Sequence, residues 1–127
     1  MARHRLADLF LDTFNFNAHS TASDALWAGL PIITKKGEQF FARCAASMLN
    51  AVGVPELIVN TEKEYEDHAL RLATNEFLLS SITKKIKDNK FSAPLFDTKQ
   101  YTSHLESAFE QVFSNYNDDL YPRDIEI

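Results

Sequence analysis

Three short apolar runs in the first half of the chain constrain its fold more than any other feature of the sequence. The runs are Asp8–Asp12, Pro31–Thr34 and Leu57–Val59. Short segments rich in Leu, Ile, Val and Phe are typical of buried β-strands. The stretches between them carry apolar residues at helical spacing. Strands that alternate with helices favour a parallel sheet with helices on its faces.

Local signals for helix ends agree with this alternation. Ser20 or Thr21 is expected to cap a first helix through its hydroxyl, and Gly29 is expected to end that helix in a left-handed conformation. A second helix is predicted over residues 38–52, with Phe41 on its apolar face.

Three further helices are predicted in the second half of the chain. The first of them begins at Thr61, which forms a capping box with Glu64. The second spans residues 76–88, with Phe77 facing inward, and the third follows Asp97. The predicted fold class is therefore α/β: a partial Rossmann-like fold with a short parallel sheet of about three strands flanked by helices, and a helical C-terminal half.

Composition and charge exclude several classes of function. The 127 residues carry a net charge of −5 and no long basic face, so we expect no nucleic-acid partner. A single cysteine, Cys44, excludes an internal disulfide and a zinc site built on paired cysteines. No stretch approaches the ~18 consecutive apolar residues of a membrane span, and the N-terminus does not resemble a secretory signal. We therefore expect no membrane partner and a cytoplasmic location.

The polar loop between the first strand and the first helix is the candidate ligand site. It places His19, Ser20 and Thr21 at the helix start, where free backbone N–H groups, two hydroxyls and an imidazole meet the positive end of the helix dipole. Such a site suits phosphate oxygens. Asp24 follows Ser20 by about one turn and could accept hydrogen bonds from a ribose diol. The loop therefore suggests a nucleoside diphosphate.

A purely structural interpretation of these residues stays open. Ser and Thr at a helix start commonly act only as caps, and an Asp in the first turn commonly acts only on the helix dipole. Their joint placement is what favours a site. Phe16 and Asn17 shortly precede the helix and could shape the pocket. The other histidines share no metal-ligand spacing, so we expect no metal.

Two groups of motifs resemble a known protein family. The first group comprises Asp12-Thr13, Asn17-Ala18-His19-Ser20-Thr21, Asp24, Leu26-Trp27-Ala28-Gly29, Pro31, Gly37-Glu38 and Arg43. The second comprises residues 55–58, 64–66 and 92–98. In order and spacing they resemble the C-terminal catalytic region of the O-linked N-acetylglucosamine (O-GlcNAc) transferase and SPINDLY-like protein glycosyltransferases. The resemblance covers roughly residues 3–116.

The resemblance implies a two-lobed GT-B enzyme that transfers a sugar from a nucleotide donor to Ser or Thr hydroxyls of proteins. By position in the family motif, His19, Ser20 and Thr21 would contact the donor diphosphate, and Asp24 would contact the ribose. UDP-N-acetylglucosamine (UDP-GlcNAc) is the favoured donor, and a fucose donor stays open. The resemblance implies no metal or other cofactor, and we assign no catalytic residue to this chain.

The resemblance also implies that much of such an enzyme lies outside these 127 residues. Residues 1–116 would be the C-terminal portion of the donor-binding lobe, and residues 117–127 a flexible acidic tail. We expect the chain alone to be inactive, the acceptor protein to bind the missing parts, and an exposed sheet edge to favour a homodimer. The alternative is a stand-alone α/β module that binds a partner protein without catalysis.

Overall fold

The computed structural model describes residues 2–126, which form two compact units, residues 2–95 and residues 96–126. Within the described chain, the first unit contains the sheet and four α-helices, and the second contains one long helix. Among residues 2–126, none of the helices has both the length and the apolar character that crossing a membrane requires.

Three parallel strands form the sheet of the first unit. Their bounds are Phe10–Leu11 for β1, Ile32–Lys35 for β2 and Ile58–Val59 for β3. Strand β2 lies between the other two, with Phe10 opposite Ile32 and Thr34 opposite Ile58. The predicted three-stranded parallel sheet is therefore confirmed.

Five α-helices and four short 3-10 turns complete the described residues. The helices are Ser20–Ala28 (α1), Cys44–Ala51 (α2), Glu62–Thr74 (α3), Glu76–Asn89 (α4) and Thr98–Asn117 (α5). The 3-10 turns are Ala2–Leu6, Phe40–Ala42, Pro55–Leu57 and Pro94–Phe96. The predicted order of strands and helices is confirmed. Phe77 of α4 was expected to face inward and is instead 86% exposed, because α4 buries Ile82 and Ile86.

Strands β1 and β3 are shorter than the apolar runs that predicted them. The side chain of Asp12, directly after β1, is hydrogen-bonded to the loop that follows. Leu57 belongs to a 3-10 turn that begins at Pro55, a residue that has no backbone N–H for a strand ladder. Both strands therefore contribute only two residues to the sheet.

The core of the first unit lies between the sheet and the helices that contact it. Ile32 and Ile33 of β2 are fully buried, and α1, α2 and α3 all contact this strand. Leu26 of α1, Leu49 of α2 and Leu72 of α3 are also 0% exposed. Full burial of such a side chain contributes about 1.5–3 kcal/mol, so these residues fix the three helices on the sheet.

Three of the predicted helix-end signals are confirmed. Gly29 ends α1 with a left-handed φ of 84°. The Thr61 hydroxyl accepts a hydrogen bond from the Glu64 N–H at 3.1 Å, and the Glu64 carboxylate accepts from the Thr61 N–H at 3.1 Å. The Asp97 carboxylate accepts from the amides two and three residues further on. These signals are local, which explains their success.

The cap predicted for α1 is wrong. His19 occupies the N-cap position, and its side chain makes no capping hydrogen bond. Ser20 and Thr21 are instead the first two residues of the helix. A side chain caps a helix from the N-cap position, so neither hydroxyl is placed to do so.

The single helix predicted over residues 38–52 is wrong at its start. The turn Phe40–Ala42 precedes α2, and the backbone N–H of Gly37 donates to the carbonyl of Ala42 at 2.8 Å. Glycine is required here because a Cβ on Gly37 would lie 2.6 Å from the Cβ of Ala42. The turn leaves Phe41 47% exposed instead of on the inner face of a helix.

Candidate functional site

A cleft of about 520 Å³ lies at the carboxyl end of β1. Its walls come from residues 10–13 and 16–21. It therefore brings together five of the six predicted site residues: Phe16, Asn17, His19, Ser20 and Thr21. The sixth, Asp24, does not line this cleft.

Two larger clefts of the first unit are lined by none of the predicted site residues. One, of about 1210 Å³, is lined by residues that precede β1 and β2, including Leu9 and Pro31, and so lies at the amino end of these strands. The other, of about 820 Å³, is lined by α2 and by Ile58 of β3. In open α/β sheets ligands bind beyond the carboxyl ends of the strands, so the cleft at the end of β1 is the candidate site.

The buried carboxylate of Asp12 holds the loop that forms this cleft. Asp12 is 5% exposed, and its Oδ1 accepts a hydrogen bond from the Ala18 N–H at 2.8 Å. Its Oδ2 accepts from the Thr34 hydroxyl at 2.6 Å. A buried carboxylate needs such partners to offset its lost hydration. Sequence reasoning missed this role, although an acid directly after an apolar strand was the available signal.

Tyr65 connects helix α3 to the backbone directly after β1. Its hydroxyl donates to the backbone carbonyl of Asp12 at 2.9 Å. Burial, and secondarily the negative charge of Asp12, raise the pKa of Tyr65 to about 12. The Phe14 ring meets the Tyr65 ring edge-on, with centroids 5.0 Å apart. The phenol therefore stays protonated at neutral pH and acts as a donor.

Asn17 fastens the middle of the loop. Its Nδ2 donates to the Thr13 carbonyl at 2.8 Å, and its backbone N–H donates to the Phe41 carbonyl at 2.8 Å. The Thr13 hydroxyl donates to the carbonyl of Phe16. Asn17 is 1% exposed, yet its Oδ1 has no hydrogen-bond partner within the described chain. The loop is therefore fixed to the turn before α2, and one buried acceptor in it is left unsatisfied.

His19 lies among aromatic rings at the start of α1. Its ring stacks on Phe16, with centroids 4.9 Å apart, and on Phe41, at 5.9 Å. Phe40 meets it edge-on at 6.4 Å. The buried Nε2 of His19 has no partner among the described residues. Sequence reasoning missed Phe40 and Phe41 as neighbours of the site because they lie more than twenty residues away along the chain.

The amino end of α1 offers unused hydrogen-bond donors. The first intrahelical bond from a backbone amide is that of Ser23 to the His19 carbonyl, at 3.0 Å. The hydroxyls of Ser20 and Thr21 have no partner within residues 2–126. Asp24 is half-buried and forms no ion pair within those residues. Because the helix dipole makes this end positive, the arrangement can bind an anion.

Nothing in the described part of the chain resembles a metal centre: among residues 2–126, no three His, Cys, Asp or Glu side chains form a group that could hold an ion.

The chain is similar to known glycosyltransferases. It is 40% identical over 114 residues to a UDP-N-acetylglucosamine–peptide N-acetylglucosaminyltransferase of Caenorhabditis elegans, a match that covers 90% of this chain and 10% of the relative. It is 39% identical over 113 residues to the probable UDP-N-acetylglucosamine–peptide N-acetylglucosaminyltransferase SEC of Arabidopsis thaliana. This match covers 88% of this chain and 12% of that relative. The chain thus spans about a tenth of the length of these relatives.

A solved structure and a family model agree with these matches. A mutant O-GlcNAc transferase of Thermobaculum terrenum superposes with a TM-score of 0.81 at 30% identity, over 87% of this chain and 21% of that one. This likeness confirms the expected fold class, part of a GT-B lobe. The model of glycosyl transferase family 41 matches residues 1–105. The chain therefore belongs to glycosyl transferase family 41.

Proposed function

We propose that the start of α1 binds the diphosphate of a nucleotide sugar. As part of a longer protein, the chain would then supply the donor site of a protein O-glycosyltransferase. The observation that carries the proposal is the uncapped amino end of α1, which opens on a cleft beside an imidazole nitrogen without a partner. The names of the relatives favour UDP-GlcNAc as the donor.

Each proposed contact follows from the chemistry of the group concerned. The backbone amides of the first turn and the hydroxyls of Ser20 and Thr21 donate to phosphate oxygens. The Nε2–H tautomer of His19, after a small ring rotation, donates to the same group. These donors stabilise the negative charge that grows on the leaving nucleoside diphosphate as the glycosidic bond breaks. No metal is needed for this step.

Asp24 is the proposed ribose contact. It lies one turn beyond Ser20, on the same side of α1, and its carboxylate is not engaged by another residue of the described chain. A carboxylate would repel the diphosphate but can accept two hydrogen bonds from the ribose hydroxyls. With these contacts, the nucleoside would lie toward the middle of α1 and the diphosphate at the start of the helix.

A titration of the isotope-labelled chain with UDP, followed by NMR, tests the proposal. We expect binding in the millimolar range, with shifts confined to residues 13–24. Ser20→Ala removes a donor to a charged group and should weaken binding by about tenfold. The matched control is Ser80→Ala on α4, whose hydroxyl has no partner in the described chain. Shifts elsewhere, or none, would overturn the proposal.

One observation favours a second candidate, a protein-interaction module. Helix α5 buries none of its residues, and five large apolar side chains along it are 52–78% exposed. They are Tyr101, Phe109, Val112, Phe113 and Tyr116. An exposed apolar stripe of this kind is typical of a helix that docks on a partner. The absence of any UDP-induced shift would favour this candidate over the first.

We further propose that the chain self-associates through the edge of its sheet. Within the described residues, β1 has only β2 as a neighbour, and Leu11 of β1 is 58% exposed. An unpaired strand edge offers free backbone groups to another chain. This proposal is independent of donor binding.

A further inference from the structure

We propose that the stacked rings of Phe16, His19 and Phe41 form a platform for the sugar of the nucleotide donor. This aromatic platform would make the site prefer a nucleotide that carries a sugar over the same nucleotide without one. The inference rests on the proposed function, because it takes the diphosphate to lie at the start of α1.

The geometry of the three rings supports this role. The centroids of Phe16 and Phe41 are 4.9 Å apart with planes 13° from parallel, and those of Phe16 and His19 are 4.9 Å apart at 19°. The ring of Phe40 meets Phe41 edge-on at 5.3 Å and so abuts the platform from the side. Because stacked rings cover part of each other's faces, the most exposed ring, Phe16, offers the electron-rich face that a ligand could contact.

The platform is open to a ligand although it is apolar. Phe16 is 58% exposed and Phe41 is 47% exposed, and Phe16 and His19 line the cleft at the end of β1. Exposed aromatic side chains that cluster beside a cleft of polar donors are more consistent with a binding surface than with incomplete packing.

The platform is also fixed before any ligand arrives. The Asn17 N–H donates to the carbonyl of Phe41 at 2.8 Å, and the Thr13 hydroxyl donates to the carbonyl of Phe16. These two bonds join the loop after β1 to the turn before α2. A preformed surface costs little ordering entropy when a ligand binds.

The direction of the donor along α1 identifies the sugar as the occupant. With the ribose at Asp24 and the diphosphate at the first turn, the sugar is the part that extends beyond the helix start. The platform lies there, because His19 is the N-cap residue and Phe16 precedes it. The C–H face of a pyranose is electropositive and packs on the negative face of an aromatic ring.

Comparing UDP with UDP-GlcNAc isolates the contribution of the sugar. The 127-residue chain is titrated with each ligand by NMR, as wild type, Phe41→Ala and Phe77→Ala. Phe77 is the matched control because it is an exposed phenylalanine on α4. We expect the wild type to bind UDP-GlcNAc more tightly than UDP. Phe41→Ala should reduce that preference, measured as the ratio of the two Kd values, about two- to tenfold. The ratio is the measure because Phe41 also packs on His19, a proposed diphosphate contact. Phe77→Ala should leave the ratio unchanged.

Three results would overturn the inference, and they differ from one another. Equal Kd values for the two ligands in the wild type would show that the sugar makes no favourable contribution to binding. An equal loss for both ligands in Phe41→Ala would show that the base or the diphosphate covers the platform. A failure of UDP itself to bind would remove the proposed function, and the platform with it. If Phe41→Ala does not fold, Phe41→Leu keeps most of the bulk without the ring and is expected to show the same reduced preference.

Discussion

At the scale of single residues, the site depends on side chains that never reach a ligand. Asp12 is the main example: its Oδ1 accepts a hydrogen bond from the Ala18 N–H, and its Oδ2 accepts one from the hydroxyl of Thr34 on the neighbouring strand. Its backbone carbonyl receives the Tyr65 hydroxyl. The loop that carries His19 is therefore positioned by contacts to the neighbouring strand and to α3 as well as by hydrogen bonds within the loop.

Replacing Tyr65 by Phe tests that support. The variant loses the hydrogen bond to the Asp12 carbonyl, so the free energy of unfolding at pH 7 should fall by about 1 kcal/mol. The folded-state pKa of Tyr65 is raised to about 12. Its contribution is therefore fully present below the unfolded pKa near 10 and is lost as pH rises from there toward about 12.

Urea denaturation at pH 7 and at several values above pH 9 measures both effects. Tyr101→Phe is the control, since Tyr101 is 68% exposed on α5. Equal stability of Tyr65→Phe and the wild type at pH 7 would contradict the assigned role.

The lowered pKa of His68 on α3 predicts that the folded chain loses stability at acid pH. Burial lowers its pKa, the charge of Arg71 lowers it further, and Glu56 opposes them. A histidine whose folded-state pKa is depressed contributes full stability above its unfolded pKa, near 6.5, and the fold loses stability as pH falls below that value. His68→Gln should reduce this loss between about pH 7 and pH 5, whereas His104→Gln should not. Identical pH profiles for wild type and His68→Gln would refute the prediction.

At the scale of elements, local signals predicted the fold well. The capping box of α3, the left-handed Gly29 and the carboxylate cap of α5 each involve residues within three positions of each other, so the sequence alone determines them. The turn Phe40–Ala42 was not predictable in this way. The bond from the Asn17 N–H to the Phe41 carbonyl joins segments twenty-four residues apart, and no helical periodicity encodes it.

The same contrast between local signals and contacts between distant segments applies to the residues of the candidate site. Its polar residues His19, Ser20 and Thr21 were found because they are consecutive and precede a recognisable helix. Of its aromatic rings, Phe16 was predicted as a pocket residue, but Phe40 and Phe41 were missed because they reach His19 only through the fold of a distant turn. The sequence alone therefore predicts the residues that lie close together in the chain and not those that the fold brings beside them.

The capping box gives a prediction at this scale. Thr61→Ala removes the hydroxyl that accepts from the Glu64 N–H but keeps the reciprocal bond, because the backbone N–H at position 61 still donates to the Glu64 carboxylate. The free energy of unfolding should fall by about 1 kcal/mol. Thermal and urea denaturation measure this, with Ser103→Ala on α5 as the control. A change of less than about 0.3 kcal/mol would mean that packing of α3, and not its cap, fixes the start of the helix.

At the scale of the whole molecule, the chain spans about a tenth of the length of its curated relatives, and the proposed diphosphate contacts would be one end of a donor site. Donor binding and turnover are therefore separable expectations. Under the proposed function the first turn of α1 would hold a diphosphate weakly, whereas the acceptor hydroxyl and a general base have no assigned residue here. We expect no detectable sugar transfer by this chain alone.

An assay with radiolabelled UDP-GlcNAc and a Ser/Thr-rich acceptor peptide checks this expectation, with Asp24→Ala as the control for a contaminating enzyme. Transfer by the wild type that Asp24→Ala abolishes would show that these residues suffice for catalysis.

The last prediction concerns self-association of the chain through β1. Strand β1 is a two-residue edge strand with an exposed leucine, and β2 is its only neighbour within the described residues, so its free edge can pair with another copy of the chain. Light scattering after size exclusion should give a mass that rises from monomer to dimer with concentration. Leu11→Lys places a charge on that edge and should keep the chain monomeric, whereas Leu70→Lys, on an exposed position of α3, should not. A monomeric mass for the wild type at the highest concentration would rule the edge out as an interface.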